Sequence, residues 1–387
     1  MQKMMAPGHS TAHRQTPEYR RSRGPRGQRQ LVRRPMERPA PVWVDGPVGK
    51  LAERLLVLPC ALLTALLVAQ PAENPLATVE LPAHPLSVAE ADGWIVASLG
   101  LSGVAFIPQP PWPEEPPVIV RSDWPSLSLF DLEGPRFLLA GRDGMVRHVV
   151  IDSDESEPRL LLEFPVEGVP NQVALDGGTL IVAAGGAGVT LWDWPELSRP
   201  PELRGRYPFV EFARRLAVDP LADRLYVADS IGGRVAVLDI EDPMRPHLVE
   251  SYPVASFCDS LQVDERFLLF TDRNAATFVA RRAPDNGSGN LWLLHQQIGL
   301  INPQQEHRDV KRVMLLSQEE SFLICEGESG VRQWSWDEDA KVFREMAGYR
   351  PRGSAVDAAV LTTGHLVVAD HPHGLSLFRL VGIPERR

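Results

Sequence analysis

DRLYVADSIGGRVAVLDIEDPMRPHLVESYPV, residues Asp223–Val254, decides the fold. An apolar run, Leu225–Ala228, enters a polar, glycine-bearing turn at Asp229–Gly233. An alternating run follows through Val235 and Val237 to Asp239, then a loop carrying Asp242, Pro243 and Pro246, then a third run from Leu248 to Tyr252. Leu216–Asp219 supplies a further run just upstream. Period-two alternation interrupted by Gly, Asp and Pro predicts short antiparallel strands, four to a unit. A sheet of this size cannot bury both faces alone, so it needs neighbours.

The chain supplies them. The small or polar residue that ends the second strand recurs as Ala97, Ala140, Ala183, Ala228, Thr271, Cys325 and Ala369, at intervals of 43, 43, 45, 43, 54 and 44 residues. The long interval holds polar insertions around Arg281–Asn290 and Asn302–Arg308. Each anchor is followed by a turn and a small residue: Gly103, Gly144, Gly188, Gly233, Ala276, Gly330 and Gly374. A period in this range is that of a four-stranded propeller blade. The seventh unit ends after Leu375–Val381 without a fourth strand, while a spare strand-like run, Ala77–Leu81, precedes the first. The expected fold is therefore all-β: a single seven-bladed β-propeller over residues 76–383, its ring closed by an N-terminal strand completing the C-terminal blade.

The formal net charge of −10 hides an asymmetry. Residues 1–54 hold 12 of the 40 Lys and Arg and 4 of the 50 Asp and Glu, which leaves 28 against 46, or −18, for the rest. An acidic body argues against nucleic acid or an anionic membrane surface as partner. Residues 1–54, rich in Arg and Pro, are expected to be a disordered basic tail or sequence upstream of the true start. The apolar run Leu55–Val68 inside residues 55–72 is short for a membrane span and suits a signal-peptide core, with cleavage near Ala69 or Ala72; an uncleaved anchor is the alternative. The expected location is extracytoplasmic, with membrane contact only through this leader. Cys258 and Cys325 then remain in the body, and two thiols make no disulfide framework for a domain of this length. Two buried free cysteines are expected.

In Asp223–Val254, YVADSIGG and VLDIEDPMRPHLVESY resemble the LVIVD-type repeat, and the first half also resembles the YVTN type. The likeness is partial at Leu180–Tyr207 and His365–Leu380. It implies a bacterial extracytoplasmic propeller, often on secreted or surface proteins, and carries no activity with it. The Gly-His and Trp-Asp pair of WD40 repeats is absent in register; Trp192-Asp193 stands alone.

Several residues invite a functional reading. His371-Pro-His373 beside Asp370 has metal-ligand chemistry but falls where other units carry a hairpin tip, so it is a weak candidate and no metal or other cofactor is expected. Trp192, Trp194, Trp334 and Trp336 resemble stacking platforms, yet occupy slots where side chains pack between sheets. Asp229, Asp272, Glu326 and Asp370 recur at one blade position, which suggests turn-capping groups rather than a ring of acids. Asn286-Gly-Ser288 fits a glycosylation sequon. The start of the innermost strand is more informative, because its side chains reach the mouth of the central channel. Registering on Leu86, Val173, Leu216, Leu261, Val313 and Ala359 and stepping back two residues selects His84, Asn171, Arg214, Asp259, Lys311 and Asp357, with Pro125 or Leu127 open for the second blade. Either a ligand site or a channel of water and salt bridges follows from such a set. No GxSxG, HExxH, Walker loop or GxGxxG at the head of a βαβ unit is present. A monomeric binding or scaffold protein for a protein partner or small polar ligand is expected; the alternative is a propeller hydrolase or lyase acting at the same mouth.

Overall fold

The computed structural model describes residues 72–110, 119–132, 134–151, 157–255, 257–273, 276–283, 292–299, 309–316 and 320–382. The chain divides into two compact units, 1–67 and 68–387. The first lies outside the described residues, as do most of the expected leader and the Asn286 sequon.

The described part of the second unit contains no α-helix and forms seven four-stranded antiparallel sheets. Six take their strands in sequence order, beginning at the innermost strands Ser87–Ala91, Ser128–Asp131, Gln172–Asp176, Ala213–Val218, Leu261–Val263 and Arg312–Leu316. The seventh runs Ser354–Val360, His365–His371, Gly374–Arg379 and then Ala77–Val79. Ala77 faces Leu377, Thr78 faces Ser376 and Val79 faces Leu375, so the N-terminal strand is the missing outer strand. Glu73 also bridges Tyr349, the last residue of the sixth blade's outer strand, through Glu73 N–H to Gly348 C=O (2.7 Å) and Arg350 N–H to Glu73 C=O (3.0 Å). The segment thus ties two blades.

Gly374 explains why the repeated glycine is needed. Its φ is +106°, and a Cβ there would lie 2.1 Å from the carbonyl oxygen of Val79. At Gly103 (φ +95°) the same clash arises with Ser122, in the first blade's own outer strand. The N-terminal strand therefore packs on its hairpin as an ordinary fourth strand does.

The cores lie between successive sheets. One cluster joins Ile181, Leu191, Leu216, Val227 and Leu238 across the third and fourth blades; another joins Val79, Val88, Ile95, Val367 and Leu375 across the closure. Trp194 is sealed, with Nε1 donating to the Arg199 carbonyl at 2.6 Å, while Trp192, Trp334 and Trp336 pack against the interblade clusters. Cys258 and Cys325 are free and buried; burial pushes the Cys258 thiol up to about 12 and raises Cys325 as well.

The recurring acids organise the loops. Asp229 Oδ1 accepts Phe212 N–H and Gly232 N–H, both at 3.0 Å, pinning the loop before its own innermost strand to the hairpin. Asp370 accepts Arg352 N–H (2.9 Å), Gly353 N–H (2.8 Å) and the Ser376 hydroxyl (2.9 Å) in the same way. Glu326 is held by Arg332.

Candidate functional site: the channel mouth

Seven innermost strands leave unpaired N–H groups along the channel, and a buried unpaired amide is costly. Side chains from neighbouring blades satisfy several. Gln172 Oε1 accepts Leu216 N–H (2.8 Å), Ser260 Oγ accepts Val313 N–H (3.2 Å), and Asp357 Oδ2 accepts Val88 N–H across the ring closure (3.2 Å). Polar residues in this layer clasp one blade to the next.

One residue nearer the strand start lies the mouth. A cavity of about 770 Å³ is lined by one such residue from every blade: Leu86, Leu127, Asn171, Arg214, Asp259, Lys311 and Val356. The amides of Leu127, Asn171 and Lys311 each donate to the carbonyl of their blade's anchor, Ala140, Ala183 and Cys325. Four expected residues, Asn171, Arg214, Asp259 and Lys311, therefore come together, and Leu127 settles the ambiguity in the second blade.

Two expected residues do not belong to the ring. In the first blade Leu86 N–H donates to Ser98, so Ser98 rather than Ala97 is the anchor, and Leu86 itself reaches the mouth. His84 stands outside, its ring 4.4 Å from that of His371. In the seventh blade the register shifts between Ala355 and Asp357, so Val356 lines the mouth. Asp357 sits deeper, beside Arg312 Nε at 3.2 Å, as the clasp for Val88. His371 and His373 find no third ligand: among the described residues no group of three His, Cys, Asp or Glu is placed to hold a metal ion.

The mouth is divided. Blades seven, one and two are contiguous once the ring closes, and contribute Val356, Leu86 and Leu127; blades three to six contribute the polar residues. Most of the polar arc is already engaged. Asn171 Nδ2 donates to the Ala213 carbonyl at 2.9 Å. Asp259, 3% exposed, is held by Arg214 Nε at 2.7 Å and by Arg273. Lys311 pairs with Asp309.

Strand alternation misses Arg215. Neighbours on a regular strand point to opposite faces, but the register shifts between Ala213 and Arg215, and this bulge lets Arg214 and Arg215 both line the cavity. Arg215 is half-buried, and its Nε is sealed from solvent without a hydrogen-bond partner. Burial and the repulsion of Arg312 and Arg214, only partly offset by Asp357 and Asp259, push its guanidinium down to about 9. Arg142, exposed on the second blade's hairpin, and Phe212 add to the lining and were also not selected from sequence. The tandem Arg214-Arg215 at a strand start was the available signal.

No protein-family model matches the chain. No curated protein matches it either. Solved structures do. A chain in "Crystal Structure of Mitotic Checkpoint Complex" is similar with a TM-score of 0.62 at 9% identity, covering 81% of this chain and 94% of that one. The WD40 β-propeller domain of Doa1 is similar with a TM-score of 0.57 at 14% identity, covering 80% and 98%. At such identities the likeness is one of fold, and the fold is that of a β-propeller.

Proposed function

We propose that this chain is an extracytoplasmic binding or scaffold propeller of the LVIVD-repeat kind, which receives a small polar ligand or one side chain of a protein partner at the channel mouth. One observation carries the reading: the mouth is a cavity of about 770 Å³ to which all seven blades contribute, and its lining includes a guanidinium that the fold does not use. Blade clasps account for Gln172, Ser260 and Asp357 one layer below, turns account for Asp229 and Asp370, and Arg332 holds Glu326, so none of these supports a site. The neighbouring propellers include one from a checkpoint assembly, which is compatible with a protein partner. The mixed apolar and charged lining lacks the continuous basic groove that a nucleic-acid strand uses. For an enzyme the mouth offers one lining carboxylate, Asp259, already held by two guanidinium groups.

The extracytoplasmic part rests on the apolar run Leu55–Val68 and the repeat resemblance. N-terminal sequencing of protein exported by a native host is expected to begin near Gln70–Glu73; a soluble cytosolic product starting at Met1 or Met36 removes that part. The mouth is tested by plugging it. Leu86 is 37% exposed and tolerates bulk, so Leu86→Trp is expected to leave the melting temperature in place and abolish hits from a thermal-shift screen of small polar ligands and short peptides. Hits that survive the plug move the working surface to the outer loops.

A further inference from the structure

The body of this chain is acidic, yet its mouth is not. Arg142, Arg214, Arg215 and Lys311 line the cavity against a single carboxylate, Asp259. Just below, Arg312 and Asp357 cancel. Asp259 is shared between Arg214 and Arg273, and Lys311 has Asp309, so the nearby acids are spoken for. The Arg215 Nε is closed to solvent and makes no hydrogen bond, and the pull of Asp357 and Asp259 only partly offsets its burial and the repulsion of Arg312 and Arg214. A half-buried cation with no acid in direct contact costs the fold desolvation that nothing fully offsets. Structures retain such groups where function uses them.

The shape of the lining narrows what the counter-ion is. Across from Arg214 and Arg215 lies an apolar arc of Val356, Leu86 and Leu127, with Leu86 substantially exposed and Arg142 at its second-blade end. A bare inorganic anion leaves that arc wet, and a neutral apolar molecule leaves Arg215 unpaired. The planar guanidinium presents parallel N–H groups that match the two oxygens of a carboxylate. With one inner cation uncommitted, one negative charge is required.

We propose that the mouth binds a small organic carboxylate with an apolar body, its carboxylate on Arg215 and its body on the arc of Val356, Leu86 and Leu127. The proposal rests on the mouth-binding reading and gives it a ligand class. It assigns Arg215 a binding role, so the fold is better off without that charge while the ligand is not.

Calorimetric titration of the full chain with octanoate, octylammonium, octyl glucoside and acetate tests this, using wild type, Arg215→Met and Leu86→Asp. Octanoate is expected to bind, acetate at least about tenfold more weakly, and the cationic and neutral chains not measurably. Arg215→Met is expected to weaken octanoate by about tenfold or more while the melting temperature holds or rises. Leu86→Asp, at an exposed position, is expected to weaken it as well, which keeps the test decisive if Arg215→Met fails to fold. Equal binding of octylammonium or octyl glucoside, lost in Leu86→Asp, overturns the carboxylate and keeps the mouth. Octanoate binding untouched by both substitutions places the site elsewhere and overturns the mouth reading with it. Binding of none of the four probes overturns the carboxylate, and a lowered melting temperature in Arg215→Met with octanoate affinity intact makes Arg215 a structural cation.

Discussion

The channel has two ends, and they employ their charges differently. The end away from the mouth opens into a cavity of about 700 Å³ whose charged lining is Asp176, Asp219, Asp223, Asp264 and Arg312. The mouth is lined by Arg142, Arg214, Arg215, Lys311 and Asp259. Each end has four charges of one sign and one of the other, yet at the acidic end the two acids Asp219 and Asp264 follow from local structure. Asp219 Oδ1 accepts Leu221 N–H (3.0 Å) and holds Arg282 (2.7 Å), and Asp264 Oδ1 accepts Arg266 N–H (2.7 Å) and Phe267 N–H (2.6 Å). Both acids stand at the turn between first and second strands, where Asp caps backbone donors. No comparable turn chemistry accounts for Arg215. Charge at a channel end is evidence of function only after the turns have taken their share.

The largest perturbation removes the ring that both ends depend on. Deleting Glu73–Leu81 strips the pairing of Ala77–Val79, the Glu73 bridge and the burial of Val79, and bares the edge strand Gly374–Arg379. A loss on the order of 5 kcal/mol, with association through the freed edge, is expected from those bonds and that burial. Deleting residues 1–54 serves as the control and is expected to be nearly neutral. Equal melting temperatures for the two deletions break the closure and, with it, the distinction between the ends.

A smaller effect separates the ends directly. Asp219 is buried and carries Arg282, whose guanidinium lies 4.4 Å from the Trp292 ring centroid, and it lies 3.3 Å from the Tyr226 hydroxyl. Asp219→Ala leaves that cation without its buried partner, and a cost of about 3–5 kcal/mol is expected in chemical denaturation. Octanoate affinity at the far mouth is expected to be unchanged. A stability loss under 1 kcal/mol, or a parallel loss of binding, breaks the assignment of a structural role to one end and a binding role to the other.

Much of this was legible beforehand, and the limits are physical. The period, the blade number and the closing strand all read from the chain because hydrophobic alternation and turn residues are local signals. Asp229 and Asp370 read as turn caps for the same reason. The mouth was legible where one anchor is unambiguous, as at Ala183 and Cys325. It was not in the first blade, where Leu86 served as the register residue in place of Val88, so that stepping back two residues gave His84 instead of Leu86. Nor was it legible at the two bulges. A bulge changes which neighbour faces the channel without altering the hydrophobic pattern, so Asp357 was taken for Val356 and Arg215 was passed over.

The subtlest expected effect uses a histidine at the rim as a probe of the mouth's field. His371 is half-buried against His84, and burial, then His84, then Lys311 hold its imidazole below the ordinary value of 6.5, with Asp370 pulling the other way. The unfolded chain therefore takes up this proton at a higher pH than the folded one. As the pH falls through 6.5 the unfolded state binds more protons, so this group removes stability on the acid side and contributes fully above it. Lys311→Met deletes one of the cationic contributions and leaves Asp309 with Arg273 alone, at 3.9 Å, and both changes act in the same direction. The His371 Cε1–H titration followed by NMR is expected to move upward in Lys311→Met, and again in wild type when a carboxylate occupies the mouth. Asp219→Ala, at the other end, is expected to leave it where it was. A downward or absent shift on filling the mouth means that the bound charge does not reach the rim, and the carboxylate has then been placed at the wrong end of the channel.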